Sequence, residues 1–149
     1  MVKILANEKE KIPDHIFKYV EKELYSYRLY QATVKELQRD LEELLERYPQ
    51  FRTDKIVPRN EVGDPVGLAA IRALFVEEKI RWNMERIRKI ETGLEVLKPE
   101  ERELVEKKYF SEVSYTNEEI MLQLRLSRNS FYRKRNEIIN KFAMVFNII

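Results

Sequence analysis

The chain has 149 residues, enough for one ordinary domain or for a long element with a small domain attached. Its 44% apolar and 36% charged residues, with only three Gly and five Pro, favour helices and leave too few turn residues for an all-β fold. It has no Cys and a single His, His15, which excludes disulfides and thiolate metal sites and argues against a zinc centre, and its net charge of only +2 identifies no partner. The distribution of charge is more informative. Residues 1–96 hold 18 basic and 18 acidic residues, whereas from Arg125 to Lys141 six cations (Arg125, Arg128, Arg133, Lys134, Arg135, Lys141) face Glu137 alone. Such asymmetry marks a basic patch on an otherwise balanced surface. The start, "MVKILANEKEK", lacks the apolar stretch of a signal peptide. No run approaches the ~18–20 apolar residues of a membrane span. A cytoplasmic chain without a membrane partner is expected.

From Pro13 to Tyr48 no Gly or Pro interrupts, and Asp14 stands where a helix cap would sit. Tyr27, Tyr30, Val34, Leu37, Leu41, Leu44 and Tyr48 recur at alternating steps of three and four, a seam that keeps one stripe against a partner helix. The spacing predicts a helix over 13–48, with Ile16, Val20 and Leu24 continuing the seam less regularly. "YPQFRTDKIVPRNEVGDP" ends it, since Pro49, Pro58, Pro65 and Gly63 forbid continuation, giving a loop over 49–64. Arg52, Lys55 and Arg59 in that loop are balanced by Asp54 and Glu61, as in a solvated connection.

Asp64-Pro65 restarts a helix, the Asp capping and the Pro at its first position. This second long helix runs over 65–97. Its stripe is Val76, Ile80, Met84, Ile87, Ile90, Leu94 and Leu97, with Ala69, Ala70 and Ala73 nearby for close contact and Trp82 off the stripe as a candidate contact residue. Similar lengths joined by one loop predict an antiparallel helical hairpin. Neither stripe is fully buried by one partner, so a homo-oligomer (a dimer) through residues 1–97 is expected; a monomeric bundle closed by the C-terminal helices is the alternative.

Beyond "LKPEE" the elements shorten. Pro99 opens a helix to about Phe110 that presents Leu104, Val105 and Tyr109, with Glu100 and Glu101 favourable against the helix dipole. "TNEE", Thr116 to Glu119, has the form of a capping box before Ile120, Met121 and Leu124. "RLS" then makes a tight turn, and Ser127 caps a last helix carrying Phe131, Ile138, Ile139 and Phe142. A short capped helix, a three-residue turn and a basic second helix form the layout of a helix-turn-helix, whose second helix enters the major groove of DNA by its first turns. On that layout Arg128, Asn129, Ser130 and Arg133 face bases, Arg suiting guanine and Asn adenine. Arg125, Tyr132, Lys134 and Arg135 are placed for the phosphate backbone, which positions without specifying. The same features also fit a bundle with a solvated basic face.

The segment "LKPEERELVEKKYF…SYTNEEIMLQLRLSRNSFYRKRNEIINKF" resembles the region-4 helix-turn-helix of sigma factors, through its "ER" pair, its "TNEEI" helix and the "LRLS" that opens the last helix. Over residues 34–142 the chain resembles the RinA/ArpU-type family of phage and prophage regulators. The shared features are the helix end at Leu44 to Pro49, a second long helix, the "ER…V…YF" of Glu101 to Phe110 and the terminal "S…YRKR…I" of Ser127 to Ile138. Arg125 stands where many such motifs carry Gly, and Lys134 where sigma factors place an apolar residue.

The resemblance implies an all-α chain: a long antiparallel hairpin followed, over 98–149, by a sigma region-4-like DNA-binding helix-turn-helix. It implies a late-gene activator of double-stranded DNA that also meets RNA polymerase. A small terminase subunit, which joins DNA-binding helices to an oligomerising hairpin, and a structural coiled-coil protein are the other readings. No catalytic residue, metal or cofactor is expected: no Gly-rich phosphate loop is present, His15 stands alone, and Glu42 and Glu43 flank the seam as solvated charges. The tail residues Phe142, Val145, Phe146 and Ile149 recur at helical spacing as core or dimer surface.

Overall fold

The computed structural model describes residues 12–53 and 64–149, and among these every regular element is helical. In chain order they are α1 (Asp14–Tyr25), α2 (Tyr27–Arg47), a single turn α3 (Gln50–Thr53), α4 (Pro65–Glu95), α5 (Pro99–Val105) continued by a π-helical turn (Glu106–Phe110), α6 (Asn117–Leu124) and α7 (Arg128–Val145). The chain is all-α, an antiparallel helical pair followed by a helix-turn-helix. Most of the loop expected over 49–64 lies outside the described residues, but its first part is helical as α3.

The helix expected over 13–48 is interrupted at Ser26. There the backbone stays right-handed (φ −87°, ψ −5°), and the Ser26 N–H is shared between the carbonyls of Lys22 and Glu23 at 3.0 and 3.2 Å. The interruption is therefore a flattened turn rather than a left-handed cap. Apolar periodicity alone does not register it, because the spacing runs on across the break. Asp14 does not cap α1 with its side chain; it is the first helical residue, and the Pro13 carbonyl accepts from the N–H groups of Ile16 and Phe17. Asp64 does cap α4, its Oδ1 accepting the Val66 N–H at 3.1 Å.

Contacts group the chain into two compact units, Leu29–Ile87, and Met1–Arg28 together with Arg88–Ile149. This grouping departs from a boundary at residue 97, because α1 and the end of α4 belong with the C-terminal helices.

Within the first of these units α2 and α4 run antiparallel: Tyr30 meets Trp82 edge-on at 6.2 Å, while Leu44 and Tyr48 share a pocket of about 370 Å³ with Pro65, Leu68 and Ala69. Ala69, Ala70, Ala73 and Val76 are buried here, whereas the α2 seam is mostly half-buried and only its Val34 is fully so. Met84, expected on the stripe, is exposed, and Asn83 is buried in its place, donating to the Lys79 carbonyl at 2.8 Å. The reason is the α-helical period of 3.6: seven residues from Val76 return to nearly the same face at residue 83, while eight overshoot it by roughly 80°.

In the second unit α7 packs on α1, α5 and α6, and its Phe131, Ile138, Ile139 and Phe142 are fully buried with Val20, Leu24, Ile90, Leu104 and Ile120. Gly93 of α4 faces the Phe142 ring so closely that a Cβ there would stand 2.4 Å from Cδ1 and Cε1. The glycine is a close-approach residue. Tyr27 meets Phe110 at 4.6 Å, the two rings tilted by 33°, and donates to Glu91 at 2.9 Å; burial, and then this hydrogen bond, push its pKa up to about 12.

Glu101, also buried, accepts from the Lys98 backbone N–H and from Lys141 Nζ, both at 2.8 Å. Burial raises its pKa, but the Lys141 hydrogen bond, the Lys98 N–H and the nearby ammonium charges outweigh it and hold the carboxyl below its ordinary value near 4.5. A carboxyl depressed in the folded state stabilises the fold above its unfolded pKa, and this contribution is lost as pH falls through the folded value.

Gly93→Ala gains about 1 kcal/mol of helix propensity but crowds a fully buried ring, an overpacking cost of about 1–3 kcal/mol. We expect a net loss of stability and a thermal midpoint lower by several degrees, read by circular dichroism. Glu101→Gln is expected to lose about 2 kcal/mol at neutral pH. Its stability should also vary less with pH below about 4.5 than that of the parent chain, read by urea unfolding across pH.

Candidate nucleic-acid interface

The turn between α6 and α7 is built from local hydrogen bonds. Thr116 accepts from the Glu119 N–H at 3.1 Å, and Glu119 accepts from the Thr116 N–H at 3.0 Å, a closed capping box that starts α6. At the other end the Leu126 N–H reaches the Met121 carbonyl at 2.9 Å and the Arg125 N–H reaches that of Leu122 at 3.3 Å. That pair is a Schellman ending, which needs a left-handed residue, and Arg125 supplies it with φ 57° and ψ 44°. Ser127 then caps α7, accepting from the Ser130 N–H at 3.2 Å. Asn147 repeats the left-handed ending after α7, with φ 60°.

With Phe131, Ile138 and Ile139 buried, the other face of α7 is turned outward. Arg128, Asn129 and Arg133 are exposed and Ser130 is half-buried, so the residues expected to face bases lie on the first turns of a helix whose start is open. Asn136 continues the exposed row of Asn129 and Arg133, at seven and three residues from them. It is absent from the expected set, although its spacing is legible in the sequence.

The expected backbone residues divide. Arg125 is exposed and Lys134 half-buried, and neither makes an ion pair with any described residue. Arg135 stacks on Phe17 of α1 and on Tyr132, 4.8 Å from each ring centroid, and donates to Asn136. Tyr132 is half-buried, edge-on to Phe131 at 5.2 Å, with the Arg128 guanidinium 5.3 Å from its centroid. Arg128 also lies 3.7 Å from Glu118, both side chains about two-thirds exposed. Lys141, counted in the basic patch, is held by Glu101. Three of the six cations are therefore engaged within the chain.

A polar cluster braces α7 from behind. The Tyr109 hydroxyl donates to Glu21, and Tyr25 meets the Tyr109 ring edge-on at 4.7 Å. Burial, followed by the Glu21 carboxylate, raises the Tyr109 pKa far above its ordinary value, so the phenol stays protonated as a donor. Lys108 donates to Asn117 at 2.9 Å, tying the π-helical turn to the first turn of α6. Burial lowers the Lys108 pKa and Arg135 adds to this, while Glu21 opposes it. Phe17, Glu21 and Tyr25 lie about a hundred residues from the helix they support, and only the fold brings them to it.

His15, Glu42 and Glu43 are exposed, Glu42 being paired with Arg52. No described helix is long and apolar enough to cross a membrane.

Arg125→Gly would relieve about 1–2 kcal/mol of left-handed strain against about 0.5–1 kcal/mol of added chain entropy. The expected result is a gain of about 0.5–1 kcal/mol by urea unfolding, with helical content unchanged. A loss of stability would show that the Arg125 side chain contributes more than its backbone costs.

Searches of family models, curated proteins and solved structures returned no match to this chain.

Proposed function

We propose that the chain is a sequence-specific regulator of transcription that binds double-stranded DNA, of the phage late-activator type its sequence resembles, with RNA polymerase as a further partner. The observation that carries this reading is the open start of α7. The outward face of its first two turns carries Arg128, Asn129 and Arg133, exposed opposite the buried Phe131, beside Arg125 at the left-handed turn. An α-helix fits the major groove, and side chains on its first turns reach base edges.

The Arg128–Glu118 pair does not hold Arg128 back. An exposed ion pair is worth about 0–1 kcal/mol, less than the ~1–3 kcal/mol of a good bidentate contact to a base. Arg135, with its guanidinium 4.8 Å from the Phe17 and Tyr132 ring centroids, is held against α1 and lends its charge from there.

Selection of bound duplexes from a random pool at stated salt is expected to return a consensus. At that site Arg128→Ala or Asn129→Ala should each lose about 1–3 kcal/mol. On unrelated duplexes the same variants should lose little. Lys134→Ala should weaken all sequences alike. With about three or four cations at phosphates, the slope of log affinity against log salt should be about −3 per bound copy. A pool that yields no consensus, with a salt slope near zero, would remove the reading in favour of a chain that binds only proteins.

A further inference from the structure

Asn136 of α7 is exposed, and its side-chain amide is held by the residue before it. Arg135 donates to Asn136 Oδ1 twice, from Nε at 3.3 Å and from Nη2 at 3.1 Å. A guanidinium only donates, so the amide atom that faces it is the oxygen. Two donors occupy both lone pairs of that oxygen, and the NH2 group is left as the free end. Arg135 is itself half-buried, 4.8 Å from the Phe17 and Tyr132 ring centroids. The amide is therefore anchored through Arg135 to α1. Asn129 is exposed too, and no described residue fixes its amide in this way.

We propose that Asn136 is a further DNA contact, donating to a backbone phosphate, and that Arg135 is the positioning residue that leaves its NH2 free to do so. This assignment rests on the DNA reading of α7 and deepens it. Position and chemistry both point to phosphate. Asn136 lies about 20° round the helix from Asn129 and about 60° from Arg133, on the face given to the duplex. Its place along the axis differs. Eight residues beyond Arg128 is about 12 Å, close to the width of the major groove. With the first turn at the base edges, the third turn reaches the sugar–phosphate wall. Reading adenine needs a donor and an acceptor from one amide, and Asn136 has committed its acceptor to Arg135. A phosphate oxygen only accepts and needs no more than the free NH2. The Arg135 charge behind the amide polarises it and strengthens that donation. Glu137, the nearest acid in sequence, is turned about 100° further round the helix.

Binding is to be read on the selected consensus duplex and on an unrelated duplex, at several salt concentrations. Asn136→Ala is expected to lose about tenfold on both, the worth of a hydrogen bond to a charged group. Its salt slope should not change, because a neutral amide releases no counterion. Asn136→Lys should recover the affinity on both duplexes and steepen the slope by about 0.9. A loss confined to the consensus duplex would overturn the phosphate assignment in favour of base readout. No loss on either duplex would overturn the contact.

The role of Arg135 is tested by repeating Asn136→Ala in two backgrounds. Arg135→Met keeps an unbranched apolar stem for Phe17 and Tyr132, and Arg135→Lys keeps the charge without the two-pronged donation. In both, Asn136→Ala should cost only about twofold, since the amide is no longer held. A cost still near tenfold would show that Arg135 acts by packing and charge alone. A parent chain that binds no duplex removes the DNA reading itself, whereas duplex binding indifferent to Asn136 removes only this contact.

Discussion

The outward face of α7 is set by what its inward face must bury. Phe131, Ile138, Ile139 and Phe142 are fully enclosed, and they allow one rotation of the helix about its axis. Once that rotation is fixed, Asn129, Arg133 and Asn136 point outward without further instruction. Burying three or four such side chains is worth several kcal/mol in total, at about 1.5–3 kcal/mol each. A rotation by one residue would carry the whole set out of the core. The single-charge contacts on the exposed face are each too weak to compete with that, so they adapt to the helix and do not orient it.

Around this core, the chain adds restraints at both edges of α7. Gly93 lets α4 press against Phe142, and the Glu101–Lys141 pair fixes the flank facing α5. The Phe17–Arg135–Tyr132 stack fixes the flank facing α1, which the Tyr109–Glu21 hydrogen bond ties to the π-helical turn. Each restraint joins segments far apart in the chain, from 40 residues for Glu101–Lys141 to 118 for Phe17–Arg135. Closing loops of that length costs chain entropy that grows only slowly with length. The apolar core meets this cost, and the polar contacts add to the one arrangement that it sets.

The legible part of this architecture was local. Asp64-Pro65, the "TNEE" box, Ser127 before α7 and the three-residue turn are written within four or five residues of chain, and all occur where the spacing places them. What escaped depends on distance in sequence. Apolar spacing runs through Ser26 as if nothing happened there, and it puts Met84 on a stripe where a straight helix of 3.6 residues per turn puts Asn83. The basic patch reads as six equivalent cations, but two of them, Arg135 and Lys141, are held by α1 and α5, and no local pattern marks Phe17 or Glu101 as their partners. Trp82 falls off the stripe in both descriptions.

Arg125 brings the backbone and the surface into one argument. A left-handed residue is required by the Schellman ending of α6, and glycine would meet that requirement with the least strain. The chain uses an arginine and bears a cost of about 1–2 kcal/mol, which the surrounding hydrogen bonds over-determine and therefore sustain. On the DNA reading the cost has a purpose. A side chain at that residue leaves the turn just before the start of α7, where a duplex seated on Asn129 and Arg133 would bring its phosphates. A lysine or arginine there adds a contact whose energy rises as salt falls, whereas the strain does not change with salt. The advantage of Arg over Gly at this position should then be largest in dilute salt and reverse when the phosphates are screened, a dependence that strain alone cannot produce.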